Sequence, residues 1–455
     1  MQLKKRNNMK LMACTILMVI FGSLFKSCNK NDDNNSANVP DNAKVIVIGA
    51  GASGLHAGKI LNDNNIDFTI LEASNTVGGR LKKNSTFTDF PLDMGAEWIH
   101  GNQALTHQWA TSQGIDIYQD QSDDYFWYNN QVYTEEEIPE TFYPLLGYMM
   151  FDALGDTDQS LKNWAIANGY DESSYPMLEA SVNGVGGSAD NVSVPNAIAG
   201  EQNWSSGEND YKFKNQTYFD LIHNTLVPQI EENIILNAPV TKIDYTNDKI
   251  IVTAGGNTYE ADRVIVTVPL KILQAEYIEF VPALSSNKQQ AINAIGMEAG
   301  MKVYLKFNTN FFEDQNISGG SVGPYYYDAG HGKPSSVPIL GLFVTGTNAQ
   351  ELSDMEESDA IAAILAELDL IYNGQATANY TGEYIMQDWA KEPFVGGAYS
   401  YATVGMGNAR EVLAEPINNK VFFAGEATHQ NGHNSTVQGA LETGEREAIN
   451  VMNSF

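Results

Sequence analysis

At 455 residues, with 43% hydrophobic and 18% charged positions, the chain is too long for one ordinary core and too apolar to be disordered. Its 26 basic residues stand against 56 acidic ones, a net charge of −30, which argues against broad nucleic-acid binding or adhesion to an anionic membrane surface. Its two cysteines, Cys14 and Cys28, fall in the first 28 residues, so the body of the chain has no disulfide, thiolate nucleophile, cysteine metal site or cysteine-linked cofactor.

The N-terminus has the three parts of an export signal. Lys4, Lys5, Arg6 and Lys10 form a basic start, and Leu11 to Phe25 is an uncharged, mostly apolar run too short to span a bilayer comfortably. Lys26-Ser27-Cys28 follows, and a small residue directly before a cysteine at this point resembles a bacterial lipobox, although Phe25 and Lys26 depart from its usual pattern. The resemblance implies a signal peptide over residues 1–28, a lipid on Cys28 and a membrane anchor. It places the protein on the outer membrane or cell surface of a Gram-negative cell, with a soluble periplasmic protein as the alternative. Asp32 and Asp33 resemble surface-export signals, and residues 29–42 read as a polar linker. Loss of the five basic residues in 1–27 leaves 21 basic against 56 acidic residues, a net of −35.

Ordered sequence begins at Ala43. Lys44 to Ile48 is a β-branched apolar run of the kind found in strands buried on both faces. Gly49-Ala50-Gly51-Ala52-Ser53-Gly54 comes next, then a helix over Leu55 to Asn62 and a second strand, Phe68 to Leu71, ending in Glu72. This is the setting the Gly-x-Gly-x-x-Gly pattern requires. Gly49 permits the tight turn, Gly51 lets backbone approach a diphosphate, Gly54 lets helix pack on strand, and the helix N-terminus faces the phosphates. Glu72 can accept hydrogen bonds from both ribose hydroxyls and would repel a 2′-phosphate. These residues predict an ADP-containing cofactor, either NAD or FAD.

The stretch from Glu72 and Ala73 through Gly78-Gly79-Arg80 resembles the second motif of the flavin-containing amine oxidase superfamily, and the resemblance runs over nearly the whole chain after residue 42. Asp93-Met94-Gly95-Ala96-Glu97-Trp98-Ile99-His100-Gly101 is similar to the segment that lines the flavin in polyamine oxidases. Asn237 to Leu270 is similar to the middle cofactor segment, with a hairpin turned at Gly255-Gly256-Asn257 and backbone near Val240 meeting the adenine. Phe422 to Thr428, including Gly425 and Glu426, and Ser435 to Ala440 match the C-terminal flavin motif, which favours FAD over NAD.

The resemblance implies an α/β fold: a Rossmann-like FAD-binding domain of the three-layer ββα, glutathione-reductase type, interleaved with an α+β substrate domain on a mixed sheet. Residues 43–95, 236–285 and 396–455 would form the first and residues 96–235 and 286–395 the second. It implies hydride transfer from an amine α-carbon to flavin N5, reoxidation by O2 to give hydrogen peroxide, and hydrolysis of the imine to an aldehyde. FAD would be held without a covalent bond, and the substrate would be a small-molecule amine, most like that of a polyamine oxidase. A helix beginning at Thr436, Val437 and Gln438 would aim its N–H groups at the negative charge of reduced flavin.

Site residues follow from the same resemblance. Lys302, in Gly300-Met301-Lys302-Val303, matches a lysine that holds a water near flavin N5. Its local pattern alone, Met301, Val303, Leu305 and Phe307 alternating with Lys302, Tyr304 and Lys306, reads as a half-exposed strand carrying surface lysines. Tyr399 matches one wall of an aromatic cage, beside the Trp389 block, and the second wall falls on Thr436, which departs from the two-tyrosine cage. His100 would help place substrate and Glu97 would hold a distal ammonium. His429 and His433 flank the flavin motif. The seven histidines show no helical spacing with carboxylate support, so no metal is expected.

Residues 120–235 show no clear periodicity, and Glu356 to Tyr372 reads as an amphipathic helix. Three competing readings are an amino-acid or monoamine oxidase, a carotenoid or porphyrinogen desaturase, and a non-catalytic flavin-binding surface lipoprotein. Glu97 stands where carboxylate-binding relatives carry an arginine-bearing block, which favours cationic substrates. Lys302 and the Trp389 block speak against a desaturase.

Overall fold

The computed structural model describes residues 43–139 and 157–455, so the expected export signal and polar linker lie outside the described residues. The strand Lys44–Ile48 sits inside a five-stranded parallel sheet, ordered Ile234–Ile235, Asp67–Leu71, Lys44–Ile48, Arg263–Val266, Val421–Phe423. Its two faces explain its unbroken apolar sequence. Val45 and Val47 pack with Leu55, Leu441 and Val451, from the helices Ala52–Asp63 and Val437–Asn453. Ile46 and Ile48 pack the other way, against Val240, Ile243, Ile250 and Val252. Those four belong to an antiparallel layer, Val240–Asp244, Ile250–Ala254 and Asn257–Ala261, to which Glu279–Val281 adds in parallel. Helices, parallel sheet and antiparallel layer are the three layers, and alternate residues of one strand hold them together. The turn at Gly255-Gly256 has φ of 54° and 80°, a conformation that disfavours side chains with a Cβ.

The second sheet is mixed and seven-stranded, ordered Tyr380–Asp388, Gly300–Phe307, Ile339–Thr345, Tyr325–Asp328, Gln315–Ser318, Asp123–Tyr128, Gln131–Thr134. All its pairs are antiparallel except Gln315–Ser318 with Asp123–Tyr128. Its strands come from 123–134 and 300–388. Those of the parallel sheet and antiparallel layer come from 44–71, 234–281 and 421–423, so Ile234–Ile235 joins the parallel sheet just before the expected boundary at 236. The pair Ile295–Met297 with Ser400–Ala402 forms a short sheet of its own.

The half-exposed reading of Gly300–Phe307 is corrected: all of it is buried except Lys306. Met301, Val303, Leu305 and Phe307 face Ile361, Ile364 and Leu368 of the helix Glu357–Ile371, which forms as the sequence predicts. The opposite face is covered too, with Tyr304 packed among Phe90, Leu92, Met94 and Tyr327. Residues far away in sequence supply that cover, so strand periodicity could not show it. The unpatterned region 120–235 holds the strands Asp123–Tyr128 and Asp210–Phe213 and several short helices.

The helices Ala52–Asp63 and Val437–Asn453 touch closely. His56 Nδ1 lies 2.8 Å from the Leu441 carbonyl, and a Cβ built on Gly444 would come 2.2 Å from the Ser53 carbonyl oxygen. Gly444→Ala is therefore expected to cost about 1–3 kcal/mol, read as a lower thermal midpoint in calorimetry. Gly200→Ala, whose Cβ would meet nothing within 4 Å, is the matched control and should not lower it.

Candidate active site

A cavity of about 1670 Å³ runs from the Gly49 turn across to the mixed sheet. That exceeds the roughly 300–1,000 Å³ of a pocket for one drug-sized ligand, so it has room for two molecules. Its lining includes Gly49, Gly51, Ala52, Ser53, Glu72, Ala73, Gly79, Arg80, Gly95, Ala96, Glu97, Trp98, Val240, Gly425, Glu426 and Val437. Lys302, Trp389, Tyr399, His100 and Thr436 line it as well. Gly54 does not; a Cβ there would lie 2.0 Å from the Gly49 carbonyl oxygen, so its role is to let the helix sit on the turn.

The turn end fits a diphosphate. The helix Ala52–Asp63 starts with no side-chain cap, which leaves its first N–H groups free of one. Ser53 Oγ is buried without a hydrogen-bond partner, and a Cβ on Gly51 would meet nothing within 4 Å, so the space above the turn belongs to the cavity. Unspent donors at a helix N-terminus are an anion site. Glu72, buried at the end of its strand, accepts from Ala50 N–H (2.6 Å) and from the backbone N–H and hydroxyl of Ser74 (2.9 and 2.8 Å). These bonds fix its carboxylate at the cavity edge, where a ribose would lie.

Glu426 organises the middle. Its carboxylate accepts from Arg80 (2.9 Å), Ser400 N–H (3.2 Å), Ser400 Oγ (2.6 Å) and Ser435 N–H (3.0 Å). Burial alone would raise this carboxyl, but Arg80 and Arg410 more than offset it and hold it below its ordinary value. Arg80 also donates to the Ala398 carbonyl, so it is shared between protein groups and the cavity. Arg410 was not visible in the sequence; it lies in the short helix Ala409–Ala414, next to Glu411. One of its nitrogens donates to Ser400 Oγ and the Ala427 carbonyl, while Nη2 is buried without a partner. Burial lowers its guanidinium to about 10, opposed by Glu426.

Around the mixed sheet, Trp389 is buried and donates to the Met94 carbonyl. Tyr399 donates to the Gly184 carbonyl at 2.9 Å, and burial, then Glu426, raise its phenol. Thr436 caps the helix Val437–Asn453, accepting from Gly439 N–H (2.9 Å) while donating to the His433 carbonyl (2.8 Å). His100 sits half-exposed on the rim, its Nδ1 2.8 Å from Asp210 Oδ1. Trp98 donates to Asp120 Oδ2 (2.9 Å), which also pairs with the buried Lys212 (3.1 Å).

Glu97 is corrected. It is buried and bonded to Lys302, with Nζ to Oε2 2.5 Å, so its place is against the lysine rather than against a distal ammonium. The histidine reading also changes, since His429 and His433 do have carboxylate support. His429 Nε2 and His433 Nδ1 lie 2.7 and 2.9 Å from Glu442 Oε2, and together they lower that carboxyl to about 2 against the effect of burial. Asn431 N–H donates to His429 Nδ1, so in the neutral ring Nε2 carries the proton toward Glu442.

One wall was missed altogether. Asp120, Ser122, Asp124 and Phe126 line the cavity at two-residue spacing, and Asn316 and Ser318 line it beside them. Asp124 and Asn316 are register partners, and Asn316 Nδ2 donates to Asp124 Oδ1 at 3.0 Å. Asn316 Oδ1 is buried without a partner. Burial raises the Asp124 carboxyl above its ordinary value despite the Asn316 bond, and the charges acting on it, Asp120 and Asp123, are both negative. The alternation was the available signal, hidden by the acidic, aromatic composition of the stretch.

A model of the family described as flavin containing amine oxidoreductase matches residues 52–452. The chain is 27% identical to mouse (Mus musculus) lysine-specific histone demethylase 1B, over 90% of this chain and 53% of that protein. It is also 27% identical to polyamine oxidase 4 of rice (Oryza sativa subsp. japonica), over 88% and 86%. The chain thus spans about half the length of the demethylase and most of the polyamine oxidase. Wild-type putrescine oxidase bound to putrescine superposes with a TM-score of 0.76 at 21% identity, over 90% of this chain and 98% of that one. Cyclohexylamine oxidase from Brevibacterium oxydans IH-35A does so at 0.76 and 19%, over 90% and 98%.

Glu72→Ala removes the acceptor for the Ala50 and Ser74 donors and for a ribose. It is expected to weaken flavin retention by roughly 10-fold or more, read as the visible-to-ultraviolet absorbance ratio of purified protein with circular dichroism unchanged. A fully loaded variant would contradict the ribose assignment.

Proposed function

The chain belongs to the flavin-containing amine oxidoreductases, and from that premise we propose that it is an FAD-dependent oxidase of a di- or polyamine. When bound, FAD supplies the acceptor for a hydride from the amine α-carbon and returns the electrons to oxygen as hydrogen peroxide, leaving an imine that water hydrolyses. The Gly49 turn, Ser53 and the N-terminus of Ala52–Asp63 would hold its diphosphate, and Glu72 a ribose. Glu426, bracketed by Arg80 and Arg410, would hold the middle of the cofactor. The absence of cysteine after Cys28 supports non-covalent retention.

The observation that carries the substrate class is the Asp124–Asn316 wall. A carboxylate and an unpartnered buried carbonyl oxygen, side by side on one sheet face, match the N–H groups of an ammonium. An ammonium there would give the stranded acceptor a donor and the carboxylate a counter-charge. A second cationic nitrogen, away from the one being oxidised, distinguishes a di- or polyamine from a monoamine. Lys302, paired with Glu97, adds no free cation to oppose it.

The basic and apolar N-terminal segment ending in Cys28 supports export and a lipid anchor, which is part of the proposal. Among the described residues no helix is long and apolar enough to cross a membrane.

The test is an anaerobic absorbance titration of the flavin-loaded protein with putrescine, spermidine, butylamine, phenylethylamine and an amino acid. Bleaching of the visible band by the diamine or polyamine, reversed by air with peroxide formed, is expected; bleaching only by monoamine or amino acid would replace the substrate class. Asp124→Asn should raise KM for the preferred diamine roughly 10-fold with kcat little changed, and leave butylamine kinetics as they were. Equal effects on both amines would remove Asp124 from the substrate site.

A further inference from the structure

Lys302 does not present a free ammonium to the cavity. Its Nζ lies 2.5 Å from Glu97 Oε2, 3.2 Å from the Asp93 carbonyl and 3.5 Å from Tyr304 OH, three acceptors for three N–H bonds. The two side chains are only 3% and 6% exposed. Tyr327 OH lies 2.7 Å from the same Glu97 oxygen, and Tyr304 OH donates to the Asp93 carbonyl at 2.7 Å, which fixes both tyrosines around the pair. The Trp98 ring stands 5.1 Å from Lys302 Nζ and 5.3 Å from Lys212 Nζ.

We propose that Glu97 is the positioning residue for Lys302: it fixes the ammonium and keeps it charged at a depth where a lone lysine would lose its proton. A buried lysine without a counter-charge loses up to about 3–5 pKa units. The charged groups facing the pair are Asp93 from Leu92–Asp93, Lys212 from Asp210–Phe213 with Asp120 behind it, and Lys333 from the loop after Tyr325–Asp328. Burial drives Asp93 upward, and Glu97 adds to it, so Asp93 is a poor substitute counter-charge. Lys212 and Lys333 are cations and would push Lys302 toward neutrality. That leaves Glu97 as the acid that balances it. Burial alone would raise the Glu97 carboxyl, but Lys302 and then Lys212 more than offset it and hold it below its ordinary value.

Two consequences follow. The lysine's three N–H groups are taken by protein acceptors, so it has none left to give to a water. The pair is neutral, so a cationic amine meets no repulsion from Lys302. Only the kinetic consequence rests on the amine-oxidase reading.

The experiment uses flavin-loaded wild type, Glu97→Gln, Lys302→Met and the double variant, each scanned for thermal midpoint across pH. In Glu97→Gln the buried lysine has lost its counter-charge and burial favours its neutral form, so the unfolded chain binds more protons and stability rises with pH. Relative to wild type, the Glu97→Gln midpoint should climb from neutral pH toward pH ~10, and the climb should vanish in the double variant. Parallel curves for Glu97→Gln and wild type would overturn the proposal, as would a climb that persists without Lys302. Should Glu97→Gln fail to fold, rescue of folding by adding Lys302→Met supports the pair, and an unfolded double variant counts against it. In stopped-flow flavin reduction by spermidine, Glu97→Gln should slow the reaction in wild type about 10-fold and change nothing once Lys302 is methionine; additive losses would overturn the positioning role. If no amine bleaches the wild-type flavin, the functional reading fails while the pH scans still decide the inference.

Discussion

The close packing of the helices Ala52–Asp63 and Val437–Asn453 is the constraint on which the site depends. Gly444 meets the backbone of Ser53, and His56 reaches the Leu441 carbonyl. Side chains in that seam would push the helices apart. Because they cannot separate, the N-terminus of Ala52–Asp63 and that of Val437–Asn453 open into one cavity. Each end presents N–H groups, one uncapped above the Gly49 turn and one shaped by Thr436. A cofactor with an anionic diphosphate at one end and a ring that gains negative charge at the other finds a positive dipole at both.

Charge inside the cavity follows a second rule: buried charge lies against charge of opposite sign. Arg80, Glu426 and Arg410 form one set, Lys302 with Glu97 another, Lys212 with Asp120 a third. Removing one member of a buried pair typically costs about 3–5 kcal/mol, because the partner is stranded. Buried polar atoms left without a partner are therefore informative. Among the described residues, Arg410 Nη2, Ser53 Oγ and Asn316 Oδ1 are stranded atoms of residues that line the cavity. Arg410 Nη2, which can only donate, lies toward the cofactor motifs, and Asn316 Oδ1, which can only accept, lies beside the Asp124 carboxylate, the polarity that an anionic cofactor and the proposed cationic substrate would meet.

The cofactor half was legible from local chemistry. A run of Val and Ile, a glycine turn and an acid after the second strand each require the others, and Gly54 and Glu72 stand where that logic puts them. The substrate half was less so, because its meaning lies in long-range cover. Lys302 alternates with apolar residues as a surface lysine does, and only Phe90, Leu92 and Tyr327, brought in from two other segments, make its face an interior. Arg410 gave no pattern at all. Asp120, Ser122 and Asp124 did alternate, yet four aromatics within Tyr125–Tyr128 obscured which face was polar.

Glu97 shows why a resemblance carries a residue's place further than its role. Its position at the flavin edge followed from the motif around Trp98, but an acid at that position invited pairing with a substrate cation. Geometry gives it a nearer cation. Lys302 reaches it from the adjacent strand at 2.5 Å, two tyrosines hold its oxygen, and the pair is sealed from solvent. A substrate ammonium would have to displace a lysine that has no other counter-charge, a loss larger than the gain. In the proposed reading, recognition of a second nitrogen therefore falls to a carboxylate without a cation of its own, and on this wall that is Asp124, on which Asp120 and Asp123 act with like charge.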